Sequence, residues 1–429
     1  MKKWVILIIF AAIIMDFYSC NYSTNIESRS APIATPESHD LIASATQTSS
    51  GKKHYKINDA ISAGNKNNII LKSGKFTDEI FNGTEESLLG LDAYGNIIKF
   101  NHATNCIESV NSSGVSKVLV DIMGSRKNYI YQIEKSGNRV AWSECPYGAD
   151  PSMDKTNGAD WQLFYVDLET KKIAKVDAYK VGLCVPDNSQ DGYLCPDQVH
   201  INQNYISYVT FDYNPMGNVT NVVKLYNMET EKLEIIDYLN DDLLTHYFTC
   251  SAAENGRLAW SREQLNPDGT YNSTTYLYDI KTARKAKVET DENIGFPVLV
   301  GNFLCVQNNP NKTFYDREVC VYDIKAAAWV YKVNNGLSQY ESYRDVYLTQ
   351  LVTDGTYLLW SSGINYGLTI FNSKDEKLYN IVPVPDRSNV NEISYPRLLD
   401  EGLFVWESIK YGDLNHADSY CTDYYILAH

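Results

Sequence analysis

One unit recurs along this 429-residue chain and restricts its fold more than any other feature. It is clearest at Arg257–Val288, RLAWSREQLNPDGTYNSTTYLYDIKTARKAKV. A short apolar strand ends in Trp, a polar loop follows, a second strand ends Tyr-Leu-Tyr-Asp, and a tight turn leads into a third strand. Variants of the unit run from about residue 85 to the C-terminus. Strands repeating with a period of roughly 40–60 residues point to a β-propeller, in which each repeat is one blade.

The unit carries two anchors. The first ends a strand: Arg139-Val-Ala-Trp142, Tyr205-Ile-Ser-Tyr208, Arg257-Leu-Ala-Trp260, Asn302-Phe-Leu-Cys305, Tyr357-Leu-Leu-Trp360 and Leu403-Phe-Val-Trp406. The second is an Asp or Asn where a strand enters a turn: Asn101, Asp167, Asn227, Asp279, Asp323 and Asn372. Short Asx side chains accept the backbone N–H groups just ahead of them, which suits a turn. Thr follows three residues later at Thr104, Thr170, Thr230 and Thr282, and lapses at Ala326 and Asp375.

Six turns are complete. A seventh unit starts at Tyr395, passes Trp406 and stops at Tyr424-Tyr-Ile-Leu427 without an outer strand. An open sheet edge is a liability. The reading is therefore an all-β, seven-bladed propeller, with six or eight as the neighbouring counts. Asn68-Ile-Ile-Leu-Lys72 is the strand expected to close the last blade. Abundant Tyr, Val, Ile and Thr fit strands throughout.

The chain divides into three parts. In residues 1–20, Lys2 and Lys3 precede the apolar run Trp4–Met15, the length of a signal-peptide core. Ser19-Cys20 resembles a bacterial lipobox, which makes Cys20 the candidate lipidation site, although Phe17 and Tyr18 depart from the usual pattern. An ordinary secretory signal is the alternative. Residues 21–53, rich in Ser, Thr, Ala and Pro, read as a flexible tether. Residues 54–429 form the single propeller domain. A secreted or cell-envelope location follows, with membrane contact only through the anchor, and a monomer is expected.

Net charge of −15 argues against nucleic acid and anionic membrane surfaces as partners. If Cys20 is lipidated, eight of the nine Cys remain in an oxidising compartment. Cys184 and Cys195 frame one Pro- and Gly-containing loop and are the first disulfide candidate. Cys305 and Cys320, on two strands of one presumptive hairpin, are the second. Buried small apolar side chains are the alternative for most of them. No spacing suggests zinc, so no metal and no cofactor are expected.

In each blade the turns between first and second strands, and between third and fourth, are short and share one face. The long loops fall on the other face, where a rigid scaffold would carry a binding surface. They are rich in aromatics. The binding candidates there are Trp161, Tyr147, Tyr193, Tyr213, Tyr271 and Tyr315, with Trp161 the best single anchor. For any one Tyr, packing within its own loop is the competing reading. Gln132, Gln198 and Gln350 stand ten residues before a strand anchor, near the channel mouth. They suit either a ligand or backbone groups between blades. The recurring Trp residues read as inter-sheet filling.

Acidic residues gather at Glu144, Asp150, Asp154 and Asp160, and at Asp187, Asp191 and Asp197. A solvated loop is the preferred reading over Ca²⁺ binding or glycoside cleavage. There is no nucleophile elbow and no phosphate-binding loop, so no catalytic residue is assigned. The strand–Trp and Tyr-Asp-x-x-Thr elements resemble WD40-like and TolB-type propellers of bacterial envelopes, over about residues 68–427. The Ser-Pro-Asp-Gly turn common in TolB-type repeats is absent; Asn266-Pro-Asp-Gly269 is similar but lies in a long loop. Such propellers include both binding scaffolds and enzymes. The first expectation is a binding protein for a protein or glycan partner. The alternative is a polysaccharide lyase or glycoside hydrolase acting at the channel mouth, and a third is an accessory subunit of an envelope assembly.

Overall fold

The computed structural model describes residues 86–426, apart from segments 125–127, 147–160, 179–195, 240–245, 309–317, 335–350, 362–367, 382–391 and shorter gaps. Upstream it describes residues 61–62, 67–69 and 72–73. The signal-peptide, tether and Cys20 readings lie outside the described residues, as does the Cys184–Cys195 pairing.

The protein is an all-β propeller. Six antiparallel four-stranded meanders follow one another, each from an inner strand outward. The first comprises Glu86–Leu91, Ile97–Asn101, Cys106–Val110 and Ser116–Asp121; the second Asn128–Ser136, Arg139–Pro146, Gln162–Asp167 and Ile173–Ala178. The third comprises Asp197–Asn202, Tyr205–Tyr213, Val219–Asn227 and Lys232–Tyr238; the fourth His246–Cys250, Arg257–Leu265, Tyr271–Asp279 and Arg284–Lys287. The fifth comprises Ile294–Val300, Phe303–Asn308, Glu318–Asp323 and Ala328–Asn334; the sixth Val352–Thr353, Tyr357–Ser361, Leu368–Asn372 and Lys377–Ile381. A further sheet combines Glu392–Leu399, Leu403–Asp413 and His416–Ile426 with Lys72–Ser73. Its inner strand packs against those of the first and sixth meanders.

The closing strand differs from the expectation. Asn67–Ile69 pairs in parallel with Lys377–Ile381 of the sixth meander. Lys72 and Ser73 reach the C-terminal strand, opposite Ile426 and Tyr425. The expected strand is thus split between two sheets. Ile61–Ser62 adds in parallel to the fifth, so the segment runs along three outer edges.

Blades stack by apolar side chains from both faces. Trp142, Trp260 and Trp360 are fully buried, each at the interface with the preceding blade. Tyr208 fills the same position in the third blade. In the fifth, the residue at that register is Val306, opposite Cys320, and the expected anchor Cys305 is one residue off. The two-residue turn Gly301-Asn302 matches its counterparts, so the strand begins at Phe303, opposite Asp323, and not at Asn302; a one-residue slip in a strand reverses the face. Cys305 therefore faces the sixth blade while Cys320 faces the fourth. Both are free thiols, which corrects the second disulfide candidate. Burial pushes both thiols up from their ordinary value.

The Asx turns form as the residue types dictate. Asp279 Oδ1 accepts from the Thr282 N–H and the Thr282 Oγ1, both at 2.8 Å. The residue four after each anchor takes a left-handed conformation: Asn105, Lys171, Glu231, Ala283, Ala327 and Glu376. Five of the turns join third and fourth strands. Asn101 makes the same bonds but joins the second and third strands of the first blade, whose third–fourth turn is built on Asn111 instead.

Candidate functional site

The inner strands line the axis of the ring. Their side chains form rows from the second blade to the fourth. In the deepest row, Gln132 Oε1 accepts from the Val199 N–H at 2.7 Å, and Gln198 Oε1 from the Cys250 N–H at 2.8 Å. Both glutamines thereby clip one inner strand to the next, serving backbone groups between blades. Gln350 lies outside the described residues. In the next row Glu134 Oε2 meets His200 Nδ1 at 3.0 Å. Their side chains keep 39% and 25% of their exposure, which leaves this pair open to solutes in the channel.

The third row lies at the mouth, on the short-turn face. Ser136 Oγ donates to Asn202 Oδ1 at 3.3 Å, and Asn202 Nδ2 donates to Glu254 Oε2. Glu254 sits in the tight turn Glu254-Asn-Gly-Arg257, where its backbone bridges Arg257 in both directions. Its side chain reaches across to the turn of the sixth blade, where a Cβ on Gly355 would stand 3.1 Å from Oε2. Burial pushes the Glu254 carboxyl up to about 7; the Asn202 amide opposes the rise and the Asp354 charge adds to it. Three carboxyl groups from different blades (Glu134, Glu254 and Asp354), an amide, a hydroxyl and an imidazole thus lie toward one end of the channel. This set can accept hydrogen bonds, attract a cation and exchange a proton near neutrality.

The loop-face candidates are placed differently. Trp161, the expected anchor, is 1% exposed and packs with Leu163, Tyr165 and Val199 between the second and third blades. A ring held that way cannot stack on a ligand unless the core opens, so the surface-anchor reading is corrected. Its apolar area outweighs the polar loop that precedes it. Tyr213 stands at the surface on the third blade. Tyr271 begins a strand of the fourth, and Tyr147, Tyr193 and Tyr315 lie outside the described residues. Glu144 is fully buried, accepting from Asn128 Nδ2 at 3.0 Å and Trp142 Nε1 at 3.3 Å, and is no solvated loop residue. Among the described residues no group of three or more His, Cys, Asp or Glu is placed to hold a metal.

Sequence reasoning passed over Glu254, Asp354, Glu134, His200 and Asn202 as site residues. Their common position, the end of an inner strand or its turn, was the available signal.

The chain is a β-propeller, consistent at fold level with the WD40-like and TolB-like class. No family model matches it, and no curated protein matches it. Solved structures with a similar course include an oligogalacturonate lyase in complex with manganese, at 12% identity, 85% of this chain, 90% of that one and TM-score 0.44. The β-propeller domain of the Trilobed protease from Pyrococcus furiosus aligns at 10% identity, 66% and 78% coverage and TM-score 0.39. A prolyl endopeptidase aligns at 12% identity and TM-score 0.46, over 76% of this chain but 45% of its own. At these scores the likenesses carry no argument about chemistry.

Proposed function

We propose that this protein is a binding propeller that takes a protein or glycan partner at the short-turn mouth of its channel. The observation that carries this reading is the polar ladder across adjacent blades, Glu134 with His200 and Ser136 with Asn202 and Glu254. A partner rich in amides, hydroxyls or ammonium groups meets both donors and acceptors there. In this reading seven sheets act as seven blades, and the N-terminal segment displays the ring outside the cytoplasm, through Cys20 if it is lipidated. The test is a glycan array run beside a pull-down with the soluble head. Asn202→Ala and His200→Ala should each lose the captured partner. Ile173→Ala, on an outer strand, should keep it. Capture that survives both channel variants would refute the site.

A second reading is an enzyme using an acid–base carboxyl pair on a polysaccharide. Glu254, raised to about 7 beside Asp354, favours it. Depolymerisation of a polyuronate or neutral glycan by wild type but not by Glu254→Gln would select it over simple binding.

A further inference from the structure

At the opposite end of the ring, the seam between the second and third blades holds two buried polar atoms that the channel site does not use. Trp161 Nε1 and Ser143 Oγ both lack a hydrogen-bond partner. Trp161 is 1% exposed and Ser143 fully buried. Ser143 lies between Ala141 and Cys145 on one strand, and both of these face the seam, as Trp161 does. On the neighbouring strand Leu163 is opposite Ser143. Trp161, two residues before Leu163, is therefore its diagonal neighbour, within reach of a long side chain.

The same seam opens toward the loop face along one row. Tyr129 on the inner strand pairs with Cys145 on the second, and the register continued by one step sets Cys145 beside Trp161. Tyr129 is 46% exposed. The row thus runs from an exposed aromatic edge to a buried end bearing an indole N–H and a hydroxyl.

An unmade hydrogen bond at a buried donor is costly, and most such groups in folded proteins have a partner. The indole N–H only donates, while the hydroxyl donates or accepts. One species satisfies both at once: an oxygen with free lone pairs placed between them. We propose that this end of the seam is a binding subsite for one hydrogen-bond-accepting oxygen, held by Trp161 Nε1 and Ser143 Oγ. The oxygen belongs either to an ordered water or to a small carboxylate entering past Tyr129. Trp161 then takes part in binding through its N–H edge and not its face.

The test uses the full head with Trp161→Phe, Ser143→Ala and the double variant. Thermal midpoints are measured in dialysed buffer, then with sodium acetate against sodium chloride at equal ionic strength. If water occupies the subsite, each single variant lowers the midpoint in dialysed buffer, and the double falls little further than the larger single effect, because one bridge is lost either way. If a carboxylate is the occupant, acetate raises the wild-type midpoint and fails to raise that of either single variant. Additive effects without an acetate response overturn the proposal. Should Trp161→Phe fail to fold, Ser143→Ala still decides. Its Trp161 indole N–H resonance must shift from the wild-type position, and an unmoved resonance overturns the subsite.

Discussion

Asp237, on the outer strand of the third blade, accepts the indole N–H of Trp260 in the fourth at 2.7 Å. It also meets Arg262 and Lys285, each at 2.8 Å. One blade earlier the relation repeats: Asp177 accepts from the Tyr208 hydroxyl and from Lys224, both at 2.7 Å. Each acid stands ten residues after its turn anchor, Asn227 for Asp237 and Asp167 for Asp177. The fifth blade has Val333 at that register, opposite Val319, a residue with no acceptor to offer. The next anchor, Trp360, accordingly has an indole N–H without a partner. In the fourth blade the equivalent Glu289 is exposed, and the facing anchor Val306 has nothing to donate. The inter-blade acid is thus satisfied where the neighbouring anchor carries a donor.

Asp237→Val should therefore destabilise the head strongly. It strands a buried indole N–H and removes the partner of two cations that are each about a third exposed. The expected loss is about 2–3 kcal/mol, less than for a wholly buried ion pair. Asp237→Asn, which keeps an acceptor for Trp260, should lose less. Urea denaturation measures both, and equal losses would show that charge alone matters.

Glu254 should give the protein a pH dependence of unusual sign. Its unfolded carboxyl titrates near 4.5 and its folded one near 7. Between those values the folded state holds the extra proton, so stability falls as the pH rises through this window. The loss begins above about 4.5 and is complete above about 7. A shift of that size corresponds to about 3 kcal/mol. Glu254→Gln keeps an acceptor for Asn202 and removes the titration. The variant should gain on wild type between about pH 5 and pH 8, and a constant difference across that range would rule out the raised carboxyl.

Much of the ring was legible because its cause is local. The strand anchors and the Asx turns depend on side chains a few residues apart, and the turns formed at the expected residues, as did the anchors Trp142, Tyr208, Trp260 and Trp360. The misreadings have equally physical causes. Asn101 makes the same turn as Asp167, since bonds from a side chain to nearby backbone are blind to which strands the turn connects. Cys305 was off by one because the strand starts at Phe303, opposite Asp323, and not at Asn302, and without a Trp at the anchor the sequence there carried no mark of the register. Glu254 reads as part of an ordinary Glu-Asn-Gly turn; its partner Asn202 is 52 residues away. Contacts between blades have no local trace, and the channel is made of them.

The left-handed residues of the third–fourth turns offer a simple gain. Ala327 is exposed with φ near 53°. A side chain in that region costs roughly 1–2 kcal/mol, and Gly adopts it freely at some cost in unfolded-state entropy. Ala327→Gly should stabilise the head by about 0.5–1 kcal/mol. A lower unfolding midpoint would mean that the turn tolerates the methyl without strain.

Acid should weaken these same turns. Backbone and hydroxyl hydrogen bonds from Thr282 hold the Asp279 carboxyl below its ordinary value of 3.8. A depressed folded value stabilises the protein above the unfolded value, and this contribution fades as the pH falls through the folded one. Asp279→Asn, which preserves the turn's acceptor, should narrow the stability difference from wild type as the pH drops from about 5 to about 2. A difference that stays constant over that range would show that the turn does not sense the charge.

Closure of the ring rests on the C-terminal strand. Leu403, Phe404 and Val405 pair with Ile426, Tyr425 and Tyr424, and Lys72 and Ser73 add to the far edge of the same strand. Deleting Tyr424–His429 removes partners on both sides at once and leaves Leu403–Val405 as an open edge. Because blades support each other in a closed stack, the damage should spread. The truncated head should lose its single unfolding transition, with circular dichroism and Trp fluorescence no longer coincident in urea. Deleting residues 2–60, upstream of every described strand, should leave the midpoint unchanged. Deleting residues 2–73 should lower it by an intermediate amount, since it removes only short ladders of two or three residues. A C-terminal truncation that keeps the wild-type midpoint would mean that the ring is held together without this strand.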